Sequence, residues 1–521
     1  MQHRFAYDAT TALVKTTGGT VRGYVWDDLT IFKGIPYAKA RRFHRPEKVS
    51  WEGTRDCTSY GFVCPLLSPD RPNGELLVPH RYWPMDENCQ NLNIWTPGTD
   101  EKDLPVLVWL HGGGYFAGSS IEQEAYDGQA LASRGHCVVV SLNHRLNILG
   151  YLDLSDFGEE YENSGNAGTD DIIAALSWIR DNICAFGGNP CNVTLFGQSG
   201  GGAKITTLLQ TPEADGLFQR GIVMSGIIGP VLADQNESGK KLAEQLMAAL
   251  HVSTAKELET VPYADLARAY LAAKPALERA GEYVGCAPHK NRFYYGDPLV
   301  NGFRKETIGV PLVAGSVYGE FTSFMPNPVY PEGMSREEQA AAVAAVIGKE
   351  GADASIPLFE KAYPERRITD LLLLDFIFRT PEQQYIRQRA KDGGKIWSYL
   401  FNQDEKVNGR QTPWHCCDIP YIFGNIDLVP YTQGEWAENT ALQEEIFGSA
   451  LAFAKTGDPN GALPAGENWL PSTKDHEYTA VFSKKTRVRD NFDAELIPVY
   501  AKYMAPVFRE RMAQTMADVA H

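Results

Sequence analysis

At 521 residues, with 43% hydrophobic and 22% charged side chains, the sequence has the composition of a globular protein long enough for two or three average domains or one elaborated core. A formal net charge of −16 repels nucleic acid and anionic membrane surfaces, which disfavours a nucleic-acid-binding role. No run approaches the roughly 20 apolar residues of a membrane span, and the opening Met1–Asp8 lacks the basic-then-apolar pattern of a secretory signal.

The first third reads as β-rich, with short strand-like runs punctuated by turns. From about Leu104 continuous apolar runs take over: Val106–Leu110, Cys137–Leu142, Asn192–Phe196 and Gly221–Met224. Short runs rich in β-branched residues suit strands buried on both faces. Between them, Asp170–Ala185 carries Ile172, Ile173, Leu176, Ile179 and Ile183 at helical spacing. Strand and helix in alternation predict an α/β fold with a mostly parallel central sheet flanked by helices. After Ser225 the pattern is mainly helical. Ser335-Arg-Glu-Glu338 is a capping box opening an Ala-rich helix, and Val310–Ala314 and Ile396–Phe401 are two further strands. No repeat or long Pro/Gly linker divides the chain, so one domain over 1–521 is expected. Large helical insertions at about 230–390 are expected to form a lid and gorge walls.

Gly197-Gln198-Ser199-Gly200-Gly201 matches G-x-S-x-G, the one match in the chain. By composition alone such a match arises in roughly one chain of this length in six. Its context is more specific, because it follows the Asn192–Phe196 strand and opens a helix over about 200–209. A sharp strand-to-helix turn there lifts the serine hydroxyl above the sheet edge, beside a helix N-terminus that favours negative charge. The bland alternative is a Gly-rich β–α connection with a capping serine.

His111-Gly112-Gly113-Gly114-Tyr115 follows the Val106–Leu110 strand. Consecutive glycines expose backbone N–H groups, and two of them with the N–H of Gly200 make an oxyanion hole. A flexible surface turn is the alternative, disfavoured once both motifs fall at one edge of one sheet.

A serine nucleophile needs a base, and the base needs an acid to fix its tautomer; in this arrangement the chain order is Ser, Asp/Glu, His. The histidines after Ser199 are His251, His289, His415, His476 and His521. His415 lies in the loop after Ile396–Phe401, and Glu320 directly after Val310–Ala314, both where loops leave the C-terminal strand edge. Position leaves Asp297 and Asp404 as rivals for the acid, with Glu320 slightly ahead.

The sequence resembles the type-B carboxylesterase family, which includes para-nitrobenzyl esterases, animal carboxylesterases and cholinesterases. The resemblance rests on Phe32-Lys-Gly-Ile-Pro-Tyr-Ala38, Glu87-Asn-Cys89 with Leu92-Asn-Ile-Trp-Thr-Pro97, Asn143-His-Arg145, Asp171, Phe186-Gly-Gly-Asn-Pro190 and Phe453–Asn460, over nearly the whole chain. It implies an α/β-hydrolase fold, a Ser199–Glu320–His415 triad and oxyanion donors on Gly113, Gly114 and Gly200, with no metal and no cofactor. The expected substrate is a small to medium apolar ester, with a serine amidase or acyltransferase as near neighbour. A non-catalytic binding protein on the same scaffold is the rival of another class, and retention of all three triad members speaks against it. The expected setting is a bacterial cytoplasm, in keeping with an odd count of nine cysteines. A Cys64–Cys89 bridge stays open if the chain is exported.

Departures from the family pattern cluster near the predicted site. Gln198 stands where Glu is typical, Gly200 for a frequent Ala, Phe321 and Cys416 for glycines, His144 for Tyr and Asn88 for Asp. The pair Cys416-Cys417 is read as packing beside the base rather than as thiol chemistry.

Overall fold

The computed structural model describes residues 3–68, 80–229, 238–282, 284–324, 329–407 and 410–519. Runs with apolar side chains on both faces become fully buried strands, as Leu104–Leu110 shows along its whole length. The strands of the main sheet are β1 Phe5–Ala6, β2 Tyr24–Trp26, β3 Leu29–Pro36, β4 Asn91–Thr96, β5 Leu104–Leu110, β6 Val138–Leu142, β7 Gly188–Gln198, β8 Arg220–Met224, β9 Leu312–Val317, β10 Ile396–Phe401, β11 Tyr478–Phe482 and β12 Arg487–Asp490. They form a 12-stranded sheet in the order β1-β2-β3-β4-β6-β5-β7-β8-β9-β10-β11-β12. From β6 through β11 every pairing is parallel, while the two ends are antiparallel.

The longer helices are α1 Ala167–Asn182, α2 Gly200–Leu209, α3 Lys240–Leu250, α4 Tyr263–Ala280, α5 Arg336–Ala362, α6 Arg379–Lys391, α7 Trp436–Thr456 and α8 Leu496–Val519. One face of the sheet (Val106, Val108, Leu195) packs on Ile172, Leu176 and Ile179 of α1 and on Ile205 and Leu208 of α2. The other face (Leu107, Trp109, Phe196) packs on Phe447, Ala450 and Phe453 of α7. Separate cores join α3 to α4 and α5 to α8. No helix among the described residues is long and apolar enough to cross a membrane.

Several elements differ in extent from the sequence reading, for local reasons. The strand expected at Val310–Ala314 runs instead over Leu312–Val317, because Pro311 has no N–H for the ladder and supplies only its carbonyl, to Gly221. The helix expected over Asp170–Ala185 starts at Ala167 and tightens at Ile183–Phe186, where Gly187 ends it at φ +85°. The capping box of α5 closes as read, with the Glu338 N–H donating to Ser335 Oγ (3.2 Å) and the Ser335 N–H to the Glu338 carboxylate (2.7 Å). The helix then kinks at Gly348. Region 230–390 holds α3 to α6, with the buried strand β9 between α4 and α5.

One buried ion pair ties the loop after β6 to α1. Asp171 in α1 accepts from Arg145 at Nε (2.8 Å), Nη2 (2.7 Å) and backbone N (3.0 Å), and from Gln90 (3.2 Å). A fully desolvated pair of this kind holds register, and removing one partner would strand the other charge.

Candidate active site

Ser199 occupies the turn between β7 and α2 at φ +56°, ψ −125°, backbone angles that a residue with a side chain adopts only when its surroundings impose them. Its N–H donates to the Met224 carbonyl at the end of β8 (2.7 Å), and its carbonyl accepts from the Ala203 N–H (3.0 Å). A Cβ at Gly201 would overlap the Leu110 carbonyl oxygen, which explains a glycine two positions after the serine. Ser199 is half-buried amid buried neighbours, so its hydroxyl is reachable.

The loop after β5 lies directly against this turn. Gly113 (φ +84°) and Gly114 (φ +60°) adopt left-handed angles. The space a Cβ would take on Gly200 is filled by Gly114, whose N and Cα lie 2.5 Å from that point. Among the described residues, the N–H groups of Gly113, Gly114 and Gly200 have no protein acceptor. Three donors thus stay free at a helix N-terminus, an arrangement suited to an anionic oxygen.

Glu320 and His415 meet at the ends of β9 and β10, and both are buried. The His415 Nδ1–H donates to one Glu320 oxygen in a short hydrogen bond, and the other oxygen accepts from the Val317 N–H (2.9 Å). The backbone N–H of His415 also donates to the Glu320 carbonyl (3.2 Å). Placing the ring proton on Nδ1 leaves Nε2 basic. The Gln198 amide nitrogen lies 3.2 Å from that Nε2, while its oxygen accepts from the Cys416 thiol (3.2 Å). Phe378 stacks on the imidazole with ring centroids 5.4 Å apart, and Phe324 flanks it at 5.5 Å.

Other buried carboxyls surround Glu320. Burial, then the charge of Glu320, pushes Asp418 up to about 7 and raises Asp375. Burial also pushes Glu382 up to about 8, with Glu320 a lesser contribution. Closely spaced carboxylates in a dry interior cannot all ionise, and these neighbours take up protons more readily for it. The Tyr399 hydroxyl donates to Asp418 (2.9 Å).

The structure therefore sets Gly114 against Gly200 beside Ser199 and pairs Glu320 with His415, and Gln198, the residue before the serine, reaches the imidazole between the two groups. The rivals lie elsewhere: Asp297 caps a short helix through the Leu299 N–H (2.7 Å), and Asp404 binds Arg366 (2.9 Å). His251 ends α3, His289 lies 3.9 Å from Asp153, and His476 pairs with Asp490 on the surface (2.7 Å). His521 falls outside the described residues. Cys64, Cys89, Cys416 and Cys417 are buried and take part in no disulfide. Sequence reading missed Phe324, Phe378 and Lys204. Lys204 carried a signal, as the one charged side chain in α2.

A model of the carboxylesterase family matches residues 10–497. The chain is 32% identical over 508 residues to the para-nitrobenzyl esterase of Bacillus subtilis (strain 168), covering 93% of this chain and 97% of that one. Among solved structures, an esterase from anaerobic Clostridium hathewayi superposes with a TM-score of 0.91 at 46% identity, covering 96% of this chain and all of the other. That enzyme can hydrolyse aliphatic aromatic polyesters. A Geobacillus stearothermophilus carboxylesterase superposes with a TM-score of 0.75 at 30% identity, over 94% of this chain and 100% of that one.

Proposed function

The chain belongs to the carboxylesterase family of ester-hydrolysing enzymes, and from that premise we propose that it works through an acyl-enzyme on Ser199, with His415 as base and Glu320 as its orienting carboxylate. The observation that carries this reading is the strained Ser199 turn set beside three unused backbone donors and the Glu320–His415 pair.

His415 Nε2 takes the Ser199 proton as Oγ attacks the ester carbonyl, and Glu320 stabilises the imidazolium. Charge developing on the carbonyl oxygen is met by the N–H groups of Gly113, Gly114 and Gly200, worth on the order of 3 kcal/mol per donor in comparable sites. As the tetrahedral intermediate collapses, the C–O bond to the alcohol breaks and His415 returns its proton to the departing oxygen. Water then gives its proton to His415, attacks the acyl carbon, and releases the acid and free Ser199.

The substrates are small to medium apolar esters. Phe324 and Phe378, from the region that walls His415, extend the reading to esters carrying an aromatic ring. A reducing bacterial compartment fits nine cysteines held as thiols.

The test is hydrolysis of para-nitrophenyl esters of increasing acyl length by wild type and Ser199→Ala. Activity that peaks at short or medium chains and vanishes in the variant supports the reading. Folded wild type no faster than the variant across the panel would overturn it, and amides would be assayed next.

A further inference from the structure

Lysine is almost never fully buried, because an ammonium taken out of water loses several kcal/mol of solvation unless something replaces it. Lys204 is 1% exposed, one turn into α2 from Ser199. Its Nζ donates to the His111 carbonyl at 2.8 Å. The His111 imidazole in turn donates from Nδ1 to the Gly112 carbonyl at 2.9 Å. That carbonyl shares its peptide unit with the Gly113 N–H, one of the three unused donors beside Ser199.

The surroundings are built for this charge. Glu122 lies half-buried against the same loop, its carboxylate and His111 Nδ1 both packed against Gly118. Burial pushes Lys204 down to about 7 and Glu122 up to about 7, and each opposes the shift of the other. His111 is held well below the usual imidazole range by burial and then by Lys204, so it is neutral. With its proton on Nδ1 it donates to the Gly112 carbonyl without adding a second cation. His144 stacks on it at 5.1 Å and is likewise held low, and His80 reaches Glu122 from behind at 3.9 Å.

We propose that Lys204 is a positioning residue for the oxyanion loop, holding the His111–Gly112 peptide that leads into the Gly113 donor, with Glu122 as its partly buried counter-charge. The inference rests on Ser199 being the nucleophile. Lys204 fixes the orientation of the His111–Gly112 peptide, and the His111 imidazole separately holds and polarises the following Gly112–Gly113 peptide, so two adjacent peptides of the loop are each pinned at the carbonyl. In its protonated form Lys204 places positive charge beneath the loop, which favours the tetrahedral oxyanion over the neutral ester, so its effect falls on the transition state rather than on substrate binding.

The experiment compares wild type, Ser199→Ala, Lys204→Met and Lys204→Gln on para-nitrophenyl butyrate, with kcat and KM separated. The affinity of each for a trifluoromethyl ketone, which forms a tetrahedral adduct with a serine, is measured alongside. Lys204→Met is expected to lose about 10- to 100-fold in kcat and a similar factor in ketone affinity, with KM within about 3-fold of wild type. Lys204→Gln, which keeps a donor but no charge, should fall between. A folded Lys204→Met with kcat within 2-fold of wild type, or a change confined to KM, overturns the proposal. If the Met variant does not fold, the Gln variant is read by the same two criteria. An inactive wild type, or an undiminished Ser199→Ala, would instead strike the underlying assignment of the nucleophile.

Discussion

Gly200→Ala adds a single methyl group where the structure has no room for it. The new Cβ would lie 2.5 Å from both the N and the Cα of Gly114, and closer still to its carbonyl oxygen. Comfortable contact between carbon atoms begins near 3.5 Å, so about 1 Å of separation must be found. All three obstacles are backbone atoms. The start of α2 has no freedom to retreat, because Gly201 is already pressed on the Leu110 carbonyl. The loop is tied from behind by the Ala117 N–H donating to the Gly113 carbonyl (3.0 Å) and by Lys204 on His111. The displacement therefore falls on Gly114 and its N–H. A 1 Å misplacement costs on the order of 100-fold, close to the loss of one oxyanion donor, or about 3 kcal/mol of transition-state stabilisation. Overpacking adds about 1–3 kcal/mol of lost stability. Steady-state kinetics on para-nitrophenyl butyrate, with urea unfolding of both proteins, separates the two effects. The expected result is kcat reduced about 100-fold at nearly unchanged KM in a variant that still folds. A folded Gly200→Ala with wild-type kcat would refute the reasoning, since the loop would then not supply its donors from the observed position.

Three further outcomes follow from the same site. Gln198→Glu places a carboxylate about 3.2 Å from His415 Nε2 and should favour the imidazolium, moving the acid limb of the kcat/KM–pH profile to higher pH; an unmoved limb would separate residue 198 from the base. Glu320→Gln removes the charge that stabilises the imidazolium and should cut kcat by about 1,000- to 10,000-fold, whereas a loss under 10-fold would disqualify Glu320 as the orienting acid. Asp418 is raised from 3.8 to about 7 by burial and by Glu320, so the native state binds its proton more tightly than the unfolded chain. Its contribution to stability is full below about pH 4 and is lost as pH rises through 7. Asp418→Asn should therefore gain on wild type in urea unfolding between pH 4 and 8, by at most about 4 kcal/mol, and a gap independent of pH would contradict that origin.

The strands that carry the site were readable because each is apolar on both faces: Ile396–Phe401 and the 200–209 helix match the structure end to end. Ser199, His415 and the glycine loop were readable because strand–turn–helix grammar places them locally. Glu320 was not separable from Asp297 and Asp404 by position, since the contact with His415 joins loops 95 residues apart. Phe378 was illegible for the same reason: it precedes α6 in sequence and meets His415 only through the packing of β9 and β10. The Lys204–His111–Glu122 cluster joins α2 to the two ends of the loop after β5, and only the lone charge in α2 hinted at it.

The central claim is that Ser199 carries the acyl group. Wild type treated with diethyl para-nitrophenyl phosphate, digested and analysed by mass spectrometry, tests it most directly, since the serine that attacks the phosphorus keeps the diethylphosphoryl group as para-nitrophenolate leaves. The account predicts one adduct per chain, on the peptide containing Ser199, formed with loss of esterase activity and absent from Ser199→Ala. An adduct on another residue that tracks the loss of activity, or full inactivation with Ser199 unmodified, would contradict it.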